Sequence, residues 1–268
     1  MNNNKIPRIV HHIAPKDKDR WHPIWDACYP SWEKQFPEFE HKLWSDEEDI
    51  DNLVKQHFPD QWEMYSSFPT HIMKIDFARF CILYEYGGIY ADMDVFCYKN
   101  FYDELSEDFH IVEAPYGEKW MNGELQVENC LMCSTENNEF VHKLIQQCKP
   151  NYLSKVQRKF DANRFGDLVT SRLIGITAGP AYVSEKMIQH DISKNSILPG
   201  KLFNNHGLSY DAEYRTKHML TGIWGKEAIK EKNEMMRQTL LEYNKYASVD
   251  DAFDPFYDYT DENYIQTS

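Results

Sequence analysis

The stretch DFARFCILYEYGGIYADMDVF, Asp76 to Phe96, begins as a helix and ends in carboxylates. From Thr70 to Tyr86 the chain lacks Gly and Pro and is rich in apolar residues, which predicts a largely buried helix. Gly87 and Gly88 stop it as C-terminal caps, and a strand that runs into a loop follows. Asp76 and Arg79 stand three apart and so share one helix face, on a segment that otherwise favours burial. Buried charges need partners, and an intrahelical ion pair is one way to supply them. Asp92 and Asp94 alternate with Ala91, Met93 and Val95, so extended backbone would send both carboxylates, with Tyr90, to one side. Two like charges that close repel unless a cation or donor lies between them, and hard oxygen ligands suit Mg²⁺ or Mn²⁺. Read alone, Asp-x-Asp also fits a solvated loop with incidental aspartates.

Outward from this stretch, the 268 residues, 42% hydrophobic and 15% aromatic, suffice for one globular domain with a sizeable core. A formal charge of -14 excludes a nucleic-acid backbone as partner. A phosphate-bearing small ligand would need a metal ion to bridge its charge to the protein's carboxylates. No apolar run reaches membrane-spanning length, and MNNNKIPRIV lacks a secretory h-region, so a cytosolic location is expected. The six cysteines lie in apolar contexts and are expected as reduced thiols. Cys130 and Cys133 form a C-x-x-C without a second pair at zinc spacing and read as packing residues.

IPRIVHHIA (Ile6 to Ala14) reads as a buried first strand, with a second around Phe39 to Trp44. Ser45 and Glu48 form a capping box for a helix that ends before Pro59. PYGEKWMNGELQ reads as a surface loop, NCLMCS as a short strand and EFVHKLIQQC as a helix. Residues 150–175 form a basic helical stretch (Lys155, Arg158, Lys159, Arg164, Arg172), most simply a solvated face. ITAGPAYVSEKMIQ is a turn feeding a helix, and SILPGKLFN a late strand with a Pro-Gly turn. Lys226 to Tyr246 reads as an amphipathic helix. The acidic, aromatic tail is expected to pack on the body or on a neighbouring subunit.

The order Asp-x-x-Arg, then Leu-Tyr-x-x-Gly-Gly-x-Tyr-x-Asp-x-Asp, resembles the central signature of the DXD sugar transferases. These include the initiating α-mannosyltransferase of yeast outer chains, bacterial capsule and O-antigen transferases and, distantly, the large clostridial glucosylating toxins. SWEKQFPEFEHKLW, VENCLMCS, TAGPAYVS and HMLTGIW are similar to further segments of that family, so the resemblance runs from about Ile6 to Trp224.

The resemblance implies an α/β protein of the GT-A fold, a Rossmann-like α/β/α sandwich with a mixed sheet and small helical additions. It implies a catalytic domain over 1–225, with 150–175 as an acceptor-side element, and a C-terminal helix and tail over 226–268. Asp76 and Arg79 would hold the nucleoside and ribose, and Tyr90 would line the sugar-diphosphate site. Asp92 would contact the ribose and sugar, and Asp94 would bind Mn²⁺ or Mg²⁺, with His218 as a further ligand. Thr221 and Trp224 would close the diphosphate site, and Asn129 would face the donor sugar. The other reading of Asn129 is a buried amide satisfied by backbone. Two departures stand out: Ala14 where the family has a base-stacking Trp, and Ile223 where it has a small hydroxyl residue, for which Thr221 would substitute. Adjacent strand residues point to opposite faces, so His11 and His12 cannot both serve one site; packing is the simpler role for both, with His11 kept as a nucleotide-sugar candidate.

The implied activity is metal-dependent hexosyl transfer from a nucleoside-diphosphate sugar, a UDP-sugar favoured, to a saccharide or lipid-linked oligosaccharide, with retention of configuration. That role belongs to surface polysaccharide or glycan synthesis, in the cytoplasm or peripherally at the inner face of a membrane, with the tail as a route to oligomers. Two other readings are a metal-dependent phosphohydrolase and a degenerate transferase that binds sugar nucleotide without turnover.

Overall fold

The computed structural model describes residues 5–114, 126–155, 173–204 and 213–219. Eight strands and seven α-helices are found among them: β1 (Ile9–Ala14), α1 (Trp25–Gln35), β2 (Glu40–Ser45), α2 (Glu48–His57), α3 (Pro59–Ser66), α4 (His71–Tyr86), β3 (Gly88–Ala91), β4 (Val95–Cys97), β5 (Phe109–Glu113), β6 (Val127–Ser134), α5 (Glu139–Lys155), α6 (Pro180–Gln189), β7 (Ile197–Leu198), α7 (Gly200–Phe203) and β8 (Thr216–His218). The main sheet has the order β2-β1-β3-β6-β5-β7 and is mixed, since β2, β1 and β3 run parallel while β6 is antiparallel to both its neighbours. A second sheet pairs β4 with β8. This is the α/β class with the mixed sheet expected of a GT-A fold.

Burial explains the layering. α4 exposes almost none of its middle: Met73, Phe77, Ala78 and Phe80 to Leu83 pack with α2, α3, α5 and α6 in one core cluster against one face of the sheet, and Asp76 and Arg79 are buried among them. On the other face Trp32 of α1 and Phe36 just after it meet Ile89, Val95, Leu131 and Phe203. Trp32 Nε1 donates to Val95 O at 2.8 Å, and Cys97 N donates to Ser31 Oγ at 2.9 Å. α1 therefore holds β4, the strand directly after the paired aspartates, at a fixed height above the sheet.

Several expectations are revised. α1 follows no signal read above, because Pro30 lies inside it. Pro59 does not merely stop α2; it opens α3 at the first-turn position where a missing N–H costs nothing. The capping box at α2 is shifted: Ser45 Oγ accepts from Glu48 N, but Asp49, not Glu48, returns to Ser45 N at 2.8 Å. The Pro-Gly of SILPGKLFN starts the short helix α7. Gly87 caps α4, whereas Gly88 already belongs to β3 at φ +92°. A Cβ there would lie 2.6 Å from Ile9 O, so only glycine lets β3 approach β1 so closely. All six cysteines are buried and free, Cys130 and Cys133 among them.

Among the described residues no helix is long and apolar enough to cross a membrane. The expected loop over 115–125, most of the basic stretch 150–175, Thr221, Ile223, Trp224, the helix from Lys226 and the acidic tail lie outside the described residues.

Candidate functional site

The site forms where β3 leaves the sheet. Asp92 and Asp94 are not on extended backbone as their alternation suggested; they occupy a turn after Ala91, closed by Val95 N donating to Asp92 O at 3.0 Å. The turn, not strand pleating, brings the carboxylates together. Asp92 N donates to Cys130 O at 2.8 Å, which ties the turn to β6.

Arg79 is the hub beneath it. Its Nη2 lies 3.0 Å from Asp76 Oδ1 and 3.3 Å from Asp92 Oδ1, and its Nη1 donates to Asn129 O at 2.6 Å. The guanidinium also sits over the Tyr90 ring at 5.0 Å, while Tyr90 Oη donates to Asp92 Oδ1 at 2.8 Å. The intrahelical pair is thus real, and it reaches beyond the helix to the turn. The Asp76 and Arg79 side chains are 5% and 2% exposed, against 26% for Asp92. Asp76 and Arg79 form a buried pair that orients Asp92, whose carboxylate is the accessible one. Burial pushes the Asp76 carboxyl up to about 6 and raises that of Asp92, in both cases against the opposing pull of Arg79.

Asn129 faces Asp76 instead of open space. Its Nδ2 donates to Asp76 Oδ1 at 3.1 Å and reaches Ala178 O at 3.5 Å, and the residue is buried. The structure thus places the Asn129 amide against Asp76 and the backbone of Ala178. The cause lies in the pairing of β5 with β6: Ile111 pairs with Met132 but Val112 with Glu128, so three residues of β6, 129 to 131, bulge out of register. Bulges commonly re-aim side chains beside active sites. Here the bulge delivers Asn129 O to Arg79 and Cys130 O to Asp92. Gly179 closes the far side, since a Cβ there would stand 3.2 Å from Asp76 Oδ2 and 2.9 Å from Gly175 Cα.

His218 arrives from the other end of the chain. β4 and β8 register Val95 with His218, and Met219 N donates to Asp94 O at 2.9 Å. His218 Nε2 lies 3.3 Å from Asp94 Oδ1, and its Nδ1 lies 3.4 Å from Glu128 Oε2. Burial works against a charged ring, but Cys130 and the Asp94 carboxylate hold His218 well above its ordinary range. Ligand atoms of Asp92, Asp94 and His218 all lie within 4.8 Å of one another. Hard carboxylate oxygens with one imidazole suit a divalent cation such as Mn²⁺ or Mg²⁺. Four carboxylates (Asp76, Asp92, Asp94, Glu128) gather around one guanidinium and one imidazole, a surplus of negative charge that repels a diphosphate unless a cation intervenes. The donor set therefore fits such an ion.

His11 is not part of this arrangement. It is buried, its Nε2 pairs with Gly87 O at 2.9 Å, and Trp44 Nε1 donates to its Nδ1 at 3.2 Å. Its ring nitrogens are engaged with the α4 terminus and with β2, which places His11 in the packing of β1. His12 is likewise buried, bonded to Ala91 O at 2.8 Å. At Ala14, where a ring was expected in the family, the neighbours within the same cluster include Trp25, Met93, Phe96 and Tyr214, with Trp21 packed against it. Glu128 and Asn204 were missed: a half-buried Glu on a strand and an Asn after a short helix carry no local signal.

Residues 23–110 match the family model described as "Glycosyltransferase sugar-binding region containing DXD motif". An inositol phosphoceramide mannosyltransferase of Schizosaccharomyces pombe is 26% identical over 211 residues, covering 75% of this chain and 58% of that protein. An uncharacterized glycosyltransferase of Acanthamoeba polyphaga mimivirus is 37% identical over 112 residues, 39% of this chain and 41% of the viral protein. The chain thus spans only about half the length of these relatives. Among solved structures, the PaToxG glycosyltransferase aligns with a TM-score of 0.49 at 15% identity, over 69% of this chain and 70% of that one.

Proposed function

We propose that this chain, whose residues 23–110 match a model of a DXD-containing glycosyltransferase sugar-binding region, transfers a hexose from a nucleoside-diphosphate sugar to an acceptor hydroxyl. The observation that carries the reading is the convergence of Asp92, Asp94 and His218 above the buried Asp76 and Arg79 pair. Asp92, Asp94 and His218 would hold Mn²⁺ or Mg²⁺. When bound, the ion supplies positive charge for the diphosphate leaving group as the glycosidic bond breaks.

The chain's own residues prepare that site. Arg79 and Tyr90 both bind Asp92 Oδ1, so its rotamer is set before any ligand arrives. Asp76 and Arg79 are both buried, and Arg79 contacts Asp92 directly at 3.3 Å. Thr221 and Trp224 are proposed to complete the diphosphate side. No carboxylate is assigned as a nucleophile, in keeping with a front-face route that retains configuration.

The mannosyltransferase of Schizosaccharomyces pombe makes mannose the first sugar to test, beside the UDP-sugars expected above. Its acceptor, as named, is inositol phosphoceramide, so a membrane-borne acceptor is the class proposed here. The experiment is a thermal-shift screen of GDP-mannose and UDP-hexoses with and without Mn²⁺, followed by product analysis with the donor that binds. Asp94→Asn is expected to keep its melting temperature and lose metal-dependent transfer. Transfer undiminished in that variant would overturn the assignment, and free sugar formed with acceptor present would replace it with hydrolysis.

A further inference from the structure

On the far side of His218 from Asp94 lies a carboxylate that the reaction does not call for. Glu128 sits at the edge of the β6 bulge, where it pairs with Val112, and its half-buried side chain turns toward the second sheet. Oε2 lies 3.4 Å from His218 Nδ1 and accepts from Asn204 Nδ2 at 2.8 Å, with the Cys130 thiol at 3.9 Å. Asn204 is buried and held in turn: its Nδ2 also donates to Glu113 O at 3.2 Å, and Gly200 N at the start of α7 donates to Glu113 Oε2 at 3.0 Å. A connected path therefore runs from α7 through Asn204 and Glu128 to the outer nitrogen of His218, whose inner nitrogen faces Asp94.

We propose that Glu128 is a positioning residue: its carboxylate accepts the hydrogen bond of His218 Nδ1–H, fixes the ring plane, and so turns the Nε2 lone pair toward the Asp92 and Asp94 side as a ligand atom. This rests on the reading that Asp92, Asp94 and His218 hold a divalent ion. The chemistry is general. An imidazole has two nitrogens, and which one carries the proton is set by the bond that the other makes. A carboxylate behind a ligating histidine fixes the tautomer and strengthens the donor atom. Among the described residues β8 is three residues long and pairs with β4, so this backbone pairing gives little control of the His218 χ angles. Glu128 comes from the main sheet and supplies that control from outside the small one. Asn204 helps to hold the Glu128 carboxylate in place through its Nδ2 bond to Oε2.

The test uses the whole chain and two readouts besides activity. Mn²⁺ binding is measured by electron paramagnetic resonance in wild type, Glu128→Gln and Glu128→Ala, without nucleotide. The His218 ring nitrogens are followed by ¹⁵N NMR in the metal-free proteins, at a pH where the ring is neutral. Glu128→Ala is expected to weaken Mn²⁺ binding by about 10- to 100-fold. Glu128→Gln, which keeps the shape and the Asn204 contact, should weaken it less. In wild type the Nδ1 position should carry the proton, and in Glu128→Ala the proton should spread over both nitrogens. Unchanged ring signals together with unchanged Mn²⁺ affinity in both variants would overturn the role of Glu128. Failure of the wild-type protein to bind Mn²⁺ would instead overturn the metal reading, and the role of Glu128 in setting the ring would then be decided by the ring signals alone.

Discussion

Arg79 is the residue whose loss costs most, because it neutralises two carboxylates at once. Removing one partner of a buried ion pair leaves the other uncompensated, a penalty of about 3–5 kcal/mol. Arg79→Met should therefore lower stability by about that amount, read as a shift in the urea midpoint at constant slope. Arg79→Lys keeps the charge but cannot span Asp76, Asp92 and the Asn129 carbonyl from one planar group. It should fold better than Arg79→Met and still lose most transfer. Equal stability of Arg79→Met and wild type would mean that Asp76 is protonated in the native state, making the pair unnecessary. Tyr90→Phe is a milder probe. It removes one hydrogen bond to Asp92, worth about 1–3 kcal/mol to an ionised acceptor, and is expected to reduce turnover more than stability.

At the scale of elements, the short-range part of the site was legible and the long-range part was not. Asp76, Arg79, Asp92 and Asp94 all lie within twenty residues of one another, so helix spacing and the glycine pair were enough to group them. The geometry of Asp92 and Asp94 was misread, because alternation is a property of strands and the chain had already turned. The bulge in β6 has no signature in VENCLMCS; it exists because β5 and β6 pair out of register by three residues. His218 was reachable by resemblance, yet its pairing with Val95 spans more than 120 residues and obeys no local rule. α1 and α3 went unread because proline is usually a breaker, while here it sits inside one helix and starts the other. The glycine pair also yields a prediction. Gly88→Ala would force a Cβ against Ile9 O at a backbone angle that L-residues avoid, and should cost about 1–3 kcal/mol or more for the strain alone. A thermal melt checks it; a variant as stable as wild type would show that β1 and β3 can separate without loss.

For the whole molecule, the buried histidines of β1, with His110 of β5 held down to about 4 in the same way, contribute to how it responds to acid. Burial holds His11 down to about 4 and His12 to about 3, against an ordinary value of 6.5. Both are neutral in the native state while the unfolded chain takes up a proton below pH 6.5, so their contribution to stability falls as pH drops below that value. At pH 5 the loss is about 2 kcal/mol for each, at 1.36 kcal/mol per unit. Asp76 works in the opposite sense. Its native carboxyl titrates at about 6 instead of 3.8, so native protein gains a proton first and recovers about 1 kcal/mol between pH 6 and pH 5. Two histidines outweigh one aspartate, and a net loss of about 3 kcal/mol is expected from these three groups between pH 7 and pH 5. Urea unfolding at the two pH values measures it. His12→Asn, whose amide N–H can still meet Ala91 O, should fold at pH 7 and lose about 2 kcal/mol less than wild type on going to pH 5. If both proteins lost equal stability, His12 would contribute nothing to the acid response, which would then rest on His11, His110 and the carboxylates of the site.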